Sequence, residues 1–271
     1  ISTIVINKTS GGGQGLIIFG FKIDGVLLVD SGIDTSGLTQ FPSIAPTGCS
    51  VGTKQGFSII GYTGTGADAT IPHGLNDFPT FMIAKTRDSD VNWIIYHGSL
   101  GTHGFLRFTT AIEDNNTTVW NTAPTRSVFG VGSANGVNED DDDYIAYIWH
   151  DVPGLQKFGK YTGNGASDGG GSGGHDGPFI ELGFRPALIW IKNADVAADW
   201  MIHDTKRSPY NTAYKSLKIN ESAAENGTST LHEIDILSNG FKIRNGDAQF
   251  NSADKEYVYC AWAEAPSVDL F

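Results

Sequence analysis

A set of residue types occurs twice in this 271-residue chain, in the same order and at nearly constant spacing. Segment 78–85 (FPTFMIAK) reappears loosely as segment 185–192 (RPALIWIK). Four identities, each 107 positions apart, link these segments and the residues after them: Pro79 with Pro186, Lys85 with Lys192, Asp88 with Asp195, and Trp93 with Trp200. So many identities at one offset are hard to obtain by chance, and they predict a duplicated unit.

The duplication extends to both sides with small changes of offset. Tyr62-Thr63-Gly64 matches Tyr161-Thr162-Gly163 at an offset of 99, and Tyr144, Trp149 and Pro153 match Tyr257, Trp262 and Pro266 at 113. Length changes that fall in glycine-rich or polar stretches are typical of loops in diverged domains. We therefore predict a β-rich leader and linker over 1–55, a first copy over 56–156 and a second copy over 157–271, with the linker within 41–56 and the copies packed together.

Short β-rich runs separated by turn formers dominate the chain, and helical periodicity is almost absent. Asp24-Gly25, between two apolar runs, has the composition of a two-residue hairpin turn. We predict an all-β fold in which two tandem copies of a jelly-roll-like β-sandwich follow a short β-rich leader. The predicted strands are 2–6, 16–23, 26–29, 57–62, 81–85, 93–96, 144–149, 187–192, 200–203, 241–244 and 257–262.

Charge and composition exclude several classes of partner. The formal net charge is −12 at pH 7, so we expect no nucleic-acid partner, because a phosphate backbone would be repelled. No run of 18 apolar residues exists, so we expect no insertion into a membrane. The chain opens on Ile1 without a signal-peptide pattern, and we interpret it as a fragment of a longer protein.

The cysteine count does not identify a redox compartment. Cys49 and Cys260 are too few for a disulfide framework. Cys260 lies in an apolar run and is interpreted as a small buried hydrophobe, with a cross-link between the two as the alternative.

The duplication also separates candidate binding residues from the residues that build the fold. The paired tryptophans (Trp93 with Trp200, Trp149 with Trp262) are interpreted as core packing. Trp120 and Asn121 lie in a polar loop without a counterpart in the second copy, where an exposed indole and an amide would suit a glycan. The alternative is that Trp120 anchors the loop beneath the domain. Tyr210 and Tyr214 form a weaker candidate of the same kind in the second copy.

We find no pattern that indicates catalysis, and we expect neither an enzyme nor a cofactor. The chain has no Gly-x-Ser-x-Gly nucleophile motif, and its seven histidines lack familiar metal-ligand spacing. The acidic run from Glu139 through Asp140 to Asp143 could suit calcium. The matching stretch of the second copy carries Lys255, however, so we favour a solvated turn and predict no metal site.

Many segments resemble repeated β domains in large structural proteins of tailed bacteriophages, especially marine ones. The glycine-rich insertion at 169–177 and the acidic run are departures from that pattern. The segments that carry the resemblance are 23–25 (IDG), 28–32 (LVDSG), 56–60 (GFSII), 62–64 (YTG), 71–75 (IPHGL), 93–97 (WIIYH), 121–125 (NTAPT), 158–165 (FGKYTGNG), 177–179 (GPF), 183–187 (GFRPA) and 261–264 (AWAE).

The resemblance implies a protein of the virion surface that contacts other virion proteins and forms a homo-oligomer, with a trimer favoured. Its leading interpretation is a tail fibre or receptor-binding module that recognises a glycan or protein of the host surface. A purely architectural head fibre or capsid decoration protein with no host ligand is the alternative. A depolymerase of surface polysaccharide is a third hypothesis, for which no catalytic pattern speaks.

Overall fold

The computed structural model describes residues 42–166, 176–227 and 230–264, together with a backbone hairpin near the N-terminus. In that hairpin β1 (Phe21–Ile23) pairs antiparallel with β2 (Val26–Leu28), with Ile23 opposite Val26. Two residues therefore connect the strands, which agrees with the hairpin predicted from Asp24-Gly25. The turn itself lies outside the described residues, and so do the predicted strand 2–6 and residues 16–20 of the next.

The chain is nearly all β-structure, which confirms the predicted fold class at that level. Its described helices are α1 (Asn135–Asn138) and two single 3₁₀ turns, Gly98–Leu100 and Thr230–His232. None of the described helices is long and apolar enough to cross a membrane. The remaining strands are β3 (Gly48–Gly52), β4 (Phe57–Thr63), β5 (Ala69–Pro72), β6 (Phe81–Thr86), β7 (Ile94–His97), β8 (Gly104–Arg107), β9 (Asp114–Asn115), β10 (Val128–Val131), β11 (Asp143–Trp149), β12 (Gln156–Thr162), β13 (Phe179–Glu181), β14 (Pro186–Asn193), β15 (Met201–Asp204), β16 (Leu217–Lys218), β17 (Ile234–Leu237), β18 (Gly240–Ile243) and β19 (Glu256–Ala263).

These strands form four antiparallel sheets, two in each half of the described chain. In the first half (42–155), a seven-stranded sheet has the order β3-β4-β11-β6-β7-β8-β9, and β10 pairs with β5. In the second half (156–264), a five-stranded sheet has the order β12-β19-β14-β15-β16, and a three-stranded sheet has the order β13-β18-β17. The order β4-β11-β6-β7-β8 in the first half corresponds, strand for strand, to the whole five-stranded sheet of the second.

Equivalent tyrosines make equivalent contacts in the two halves. The rings of Tyr62 and Tyr144 stack with centroids 5.1 Å apart, and those of Tyr161 and Tyr257 stack at 5.0 Å. The Tyr62 hydroxyl donates to the carbonyl of Val137, and the Tyr161 hydroxyl donates to the carbonyl of Phe250. Val137 and Phe250 are 113 positions apart, which is the offset that the sequence comparison gives for this region.

Alternation of side chains along the strands creates three apolar cores. On β4 every second residue is buried (Ser58, Ile60 and Tyr62), as expected for a strand covered on one face. The β6 strand is buried on both faces, because Met82 and Ala84 face the β5–β10 pair whereas Phe81 and Ile83 face the second half. An equivalent core lies between the five-stranded and three-stranded sheets.

The core between the two halves is rich in aromatic rings. Phe81 stacks on Phe158 with centroids 5.2 Å apart, and Trp190 contacts Trp262 at 5.1 Å. Trp200 is fully buried there, as expected for core packing. Trp93 is the exception, because 39% of its surface remains exposed at the rim of this core. The expectation that Trp93 is a core residue is therefore wrong.

The stretch predicted to be a linker is partly sheet. Within residues 41–56, β3 pairs with β4 over five residue pairs, from Gly48 opposite Gly61 to Gly52 opposite Phe57. Just upstream, the amide of Ile44 donates to the carbonyl of Thr70 on β5. The small residues that suggested a loop are compatible with an edge strand, which needs few side-chain contacts.

Candidate functional site

The Trp120 indole does not form an exposed platform, so that expectation is wrong. Only 1% of Trp120 is exposed, and its ring meets Tyr96 edge to face with centroids 5.9 Å apart. Its carbonyl accepts a 2.6 Å hydrogen bond from His103 Nδ1. Trp120 thus anchors its loop in the first core, because burying a large indole outweighs the polar character of the flanking residues.

The other three candidate binding residues are at least partly exposed. Asn121 is half-buried, and its Oδ1 accepts a hydrogen bond from the Thr122 hydroxyl. In the second half Tyr210 is 83% exposed and Tyr214 is 39% exposed. The tyrosines are accessible, but they are not brought together with the residues of the Trp120 loop.

The acidic run forms a turn that binds protein groups. Asp142 accepts hydrogen bonds from the hydroxyls of Thr86 and Ser89, at 3.1 and 3.2 Å. Asp141 has a φ of 64°, and Asp254, which is 113 positions later, has a φ of 60°. The same turn thus forms where the acidic run is missing. Among the described residues, no three His, Cys, Asp or Glu side chains are arranged to hold a metal ion.

A buried serine–histidine contact in the second half lacks the arrangement of a hydrolase. The Ser216 hydroxyl lies 2.7 Å from His232 Nδ1, and the Asn226 amide donates to the same nitrogen at 3.1 Å. Burial lowers the pKa of His232. Ser216 is only 1% exposed, so a substrate would have no access to its hydroxyl.

A cleft of about 380 Å³ opens in the first half beside the Trp120 loop. Its base is the end of the seven-stranded sheet, where Ile94 on β7 lies opposite Arg107 on β8. The cleft is lined by Asp90, Val91, Asn92, Ile94, Phe105, Arg107, Asp114, Asn116, Thr118, Val119, Ala134, Asn135 and Gly136.

The base of the cleft combines an aromatic ring with a cation that is held in place. The Arg107 guanidinium lies over the Phe105 ring, 4.6 Å from its centroid, and an Arg107 nitrogen lies 3.4 Å from a carboxylate oxygen of Asp114. The Arg107 carbonyl accepts a 2.7 Å hydrogen bond from the Trp200 indole. Contacts on three sides therefore fix the strand that carries the guanidinium, which favours a preformed site.

The rim of the cleft is made of exposed amides and hydroxyls. Asn92 and Asn135 approach from separate segments, and neither side-chain amide bonds to another described residue. On the third side, Asn116 Oδ1 accepts hydrogen bonds from the amide and the hydroxyl of Thr118, both at 2.9 Å. The buried Trp120 follows directly and positions this segment. Polar groups therefore converge with the half-buried apolar side chains of Val91 and Ala134, a mixture that is common in small-ligand sites.

The second half carries an ion pair at the equivalent place. Met201 lies opposite Lys218 there, as Ile94 lies opposite Arg107 in the first half. The Lys218 ammonium lies 2.6 Å from a carboxylate oxygen of Asp199, which also accepts a hydrogen bond from Asn220. These contacts raise the pKa of Lys218. They also lower the pKa of Asp199, although burial of its carboxyl acts in the opposite direction. The acidic Asp199 thus stands at the position where the first half has Asn92.

Sequence reasoning missed the cleft because it missed β8 and β9. Both strands are short, and Thr109 to Asn116 read as a polar stretch. The signal that could have found the site is the Trp120 loop itself, because the sequence comparison finds no counterpart for it in the second half and loops often carry function.

Comparison with known proteins gives one match. A family model described as a domain of unknown function matches residues 42–266. No curated protein and no solved structure matches the chain.

Proposed function

The chain belongs to this family, DUF7483, and we propose that it is a binding protein of the bacteriophage virion surface whose first-half cleft holds a glycan of the host envelope. The cleft carries the proposal, because half-buried apolar side chains and exposed amides meet there at the end of a sheet. The assignment to a tail fibre or receptor-binding module rests on the sequence resemblance. The proposal needs no catalytic group and no cofactor.

The composition of the cleft favours a sugar over an apolar ligand. Sugars present a CH face, which packs on aromatic or aliphatic surface, and hydroxyls, which bond to amides. The half-buried Val91 and Ala134 offer apolar surface, and the exposed Asn92 and Asn135 offer side-chain amides that bond to no other described residue. A volume of about 380 Å³ lies at the small end of the range for ligand sites and suits one or two sugar rings.

The charge of the cleft limits the class of sugar that it can bind. Asp114 is paired with Arg107, so Asp90 leaves the cleft with an excess of negative charge at neutral pH. The whole chain is also anionic, with a net charge of −12. Neutral or amino sugars are therefore favoured over sialic or uronic acids, which this field would repel.

The similarity of the two halves favours a structural role of the whole chain beside the binding role of the cleft. We propose that the two halves are tandem copies of one β-sandwich domain, because they share strand order and the tyrosine contacts. One copy then presents the cleft, whereas the other carries the Asp199–Lys218 pair at the matching positions. Such divergence allows one copy to bind a ligand while both stabilise the particle.

An architectural role without a host ligand is the second candidate. A half-exposed row of rings favours it: Phe57 stacks on Trp149 at 4.7 Å, Trp149 on Tyr147 at 6.4 Å, and Tyr147 on Trp93 at 6.4 Å. Exposed aromatic surface of this extent is common at contacts between proteins. Neighbouring virion proteins would be its partners.

A glycan array with the purified chain tests the proposal. The wild-type chain should bind neutral or amino glycans, and Asn92→Ala and Asn135→Ala should each weaken binding about tenfold, which is roughly 1.4 kcal/mol. Asn76→Ala, an exposed asparagine that does not line the cleft, is the matched control. Absence of binding across the array, or an equal loss in the control, would rule out the cleft as the glycan site.

Immunogold labelling of phage particles separates the two candidates. Antibodies against the chain should label the tips of tail fibres if it binds receptors, and the purified chain should then reduce adsorption of the phage. Labelling of the head surface without any effect on adsorption would favour the architectural role.

A further inference from the structure

One sheet edge in the described part of the chain differs in chemistry from the others. The β3 strand is the outer strand of the seven-stranded sheet, and Gly48, Cys49 and Ser50 are exposed along it. A Cβ atom added at Gly48 would meet open space. No charged residue occurs from 42 to 53, on the strand or in the segment that leads to it.

The edges of the five-stranded sheet are protected in familiar ways. On one side β12 carries Lys157 and Lys160. On the other side β16 is two residues long and includes Lys218. Charged side chains, lysine above all, and short strands are the devices by which proteins prevent edge strands from pairing with other chains.

The remaining long sheets are protected as well. The far edge of the seven-stranded sheet, β9, has two residues and includes Asp114. In the three-stranded sheet, β13 ends on Glu181, and the side chain of Asn211 exchanges hydrogen bonds with the backbone of Ile236 on β17. Among these edges, β3 alone combines five residues with a lack of charge, which indicates that another strand covers it.

We propose that β3 pairs antiparallel with β3 of a second copy of this chain, so that a two-fold axis joins two seven-stranded sheets. This goes beyond the glycan site, which lies at the opposite end of the same sheet. A strand related to itself by a two-fold axis is self-complementary, because each free N–H meets a carbonyl of the same strand in the partner. The result is a dimer rather than the trimer that the sequence resemblance implies.

Charge explains why the occupant is a second copy. Two chains of net charge −12 repel one another over most of their surface. The uncharged stretch 42–53 is followed by Lys54, so two copies can meet there without contact between like acidic groups. The side chains permit a close approach, since Gly48, Ser50 and Gly52 on one face are small.

Cys49 offers a chemical test of the proposed contact between the two β3 strands. It is exposed, whereas Cys260 is fully buried, so a thiol reagent acts on Cys49 first. In an antiparallel pair centred on Cys49 or Ser50, the two Cys49 residues lie within about 8 Å of each other. A short bismaleimide should therefore link two chains through Cys49, and Cys49→Ser should abolish the link without changing the dimer.

Light scattering after size-exclusion chromatography, together with that cross-link, tests the proposal on the whole chain. The wild type should have twice the 29.0 kDa chain mass. Ser50→Lys should raise the dissociation constant of the dimer at least about tenfold, because two ammonium groups then face one another across the axis. Ser50→Ala, at the same position, should leave the dimer intact.

Three outcomes would overturn the proposal. A monomer at all concentrations would show that β3 is covered within its own chain or is left free. A trimer would show a different symmetry. A dimer that resists Ser50→Lys and gives no Cys49 cross-link would place the contact elsewhere. Circular dichroism of each variant checks that its fold is unchanged.

Discussion

The Nε2–H of His97 donates a 3.1 Å hydrogen bond to the carbonyl of Tyr259, 162 positions later in the chain. His97 belongs to the first half and Tyr259 to the second, so this bond joins the two large sheets. The other ring nitrogen, Nδ1, accepts a 3.3 Å hydrogen bond from the amide of Ser99. The bond from Ser99 requires that Nδ1 carry no proton. Burial lowers the pKa of His97 to about 4, although the bond to Tyr259 acts in the opposite direction.

Acid should therefore weaken the protein through His97. Because the folded-state pKa is below the usual 6.5, the unfolded chain binds more protons between pH 6.5 and pH 4. The stability contributed by the neutral ring is present above pH 6.5 and is lost as the pH falls towards 4, by about 3 kcal/mol at most. Urea unfolding at a series of pH values measures this slope.

His97→Gln tests the origin of the slope, since the glutamine amide can replace Nε2–H but does not titrate. The variant should lose about 1 kcal/mol at pH 7, because the Ser99 amide loses its acceptor, and should show a shallower slope below pH 6.5. Burial also lowers the pKa of His203 to about 4. This residue is unchanged in His97→Gln, so its own contribution to the pH dependence should remain. An unchanged slope in His97→Gln would contradict this assignment.

The tyrosine pairs should contribute equally to stability. Tyr62→Phe and Tyr161→Phe each remove one buried hydroxyl that donates to a carbonyl, at 2.7 and 2.9 Å respectively. Each substitution should lower the free energy of unfolding by about 1 kcal/mol, because the carbonyl loses its donor. Tyr210→Phe, at an exposed position, should have no effect on chemical denaturation. Effects of very different size at the two buried positions would show that the equivalence does not extend to energetics.

The strands that the sequence predicted well are those whose apolar residues alternate or run continuously. The predicted strand 144–149 is β11, which begins one residue earlier, and 257–262 lies within β19. Tyr62 and Tyr161 are 99 positions apart, and their stacking partners Tyr144 and Tyr257 are 113 positions apart. The same residue type occurs at both positions because stacked rings and their hydroxyl bonds tolerate little variation. Such residues are recognisable because burial restricts them on every side.

What the sequence did not predict depends on contacts between distant segments. Trp120 stands among polar residues, and only the position of Tyr96 and His103 explains why it is buried. The cleft needs β8, β9 and α1, each too short to have a periodic pattern. Trp93 and Trp200 occupy matched positions, yet the contact between the two halves buries Trp200 fully and leaves Trp93 39% exposed. That difference arises from domain packing, which no local pattern encodes.

The Trp120 indole should matter for folding, because it anchors the loop that borders the cleft. Trp120→Ala removes a side chain that is 1% exposed, and it should lower the free energy of unfolding by about 3–5 kcal/mol. Trp93→Ala, at an exposed position, is the matched control and should cost much less. Thermal denaturation followed by circular dichroism compares them. A small effect of Trp120→Ala would mean that the loop does not depend on this anchor.

Lys192 should make the protein more stable as the solution becomes alkaline. The side chain is fully buried, and its ammonium donates a 2.7 Å hydrogen bond to the carbonyl of Asn193. Burial lowers the pKa of Lys192 to about 8, although Asp199 acts in the opposite direction. Between pH 8 and the usual 10.5 the unfolded chain therefore binds more protons than the folded one. Stability contributed by this group rises with pH over that window, by on the order of 1–3 kcal/mol.

Lys192→Met should remove this rise, because methionine fills a similar volume without a charge. Lys85→Met is the matched control: Lys85 occupies the equivalent strand position but is half-exposed, and its ammonium donates to the carbonyl of Ser89. Unfolding by urea at pH 7, 8, 9 and 10 gives the free energy for all three proteins. The difference between Lys192→Met and the wild type should shift in favour of the wild type as the pH rises, whereas the difference for Lys85→Met should stay constant. A parallel pH dependence of the wild type and Lys192→Met would mean that the buried ammonium keeps an ordinary pKa through contacts with the surrounding residues.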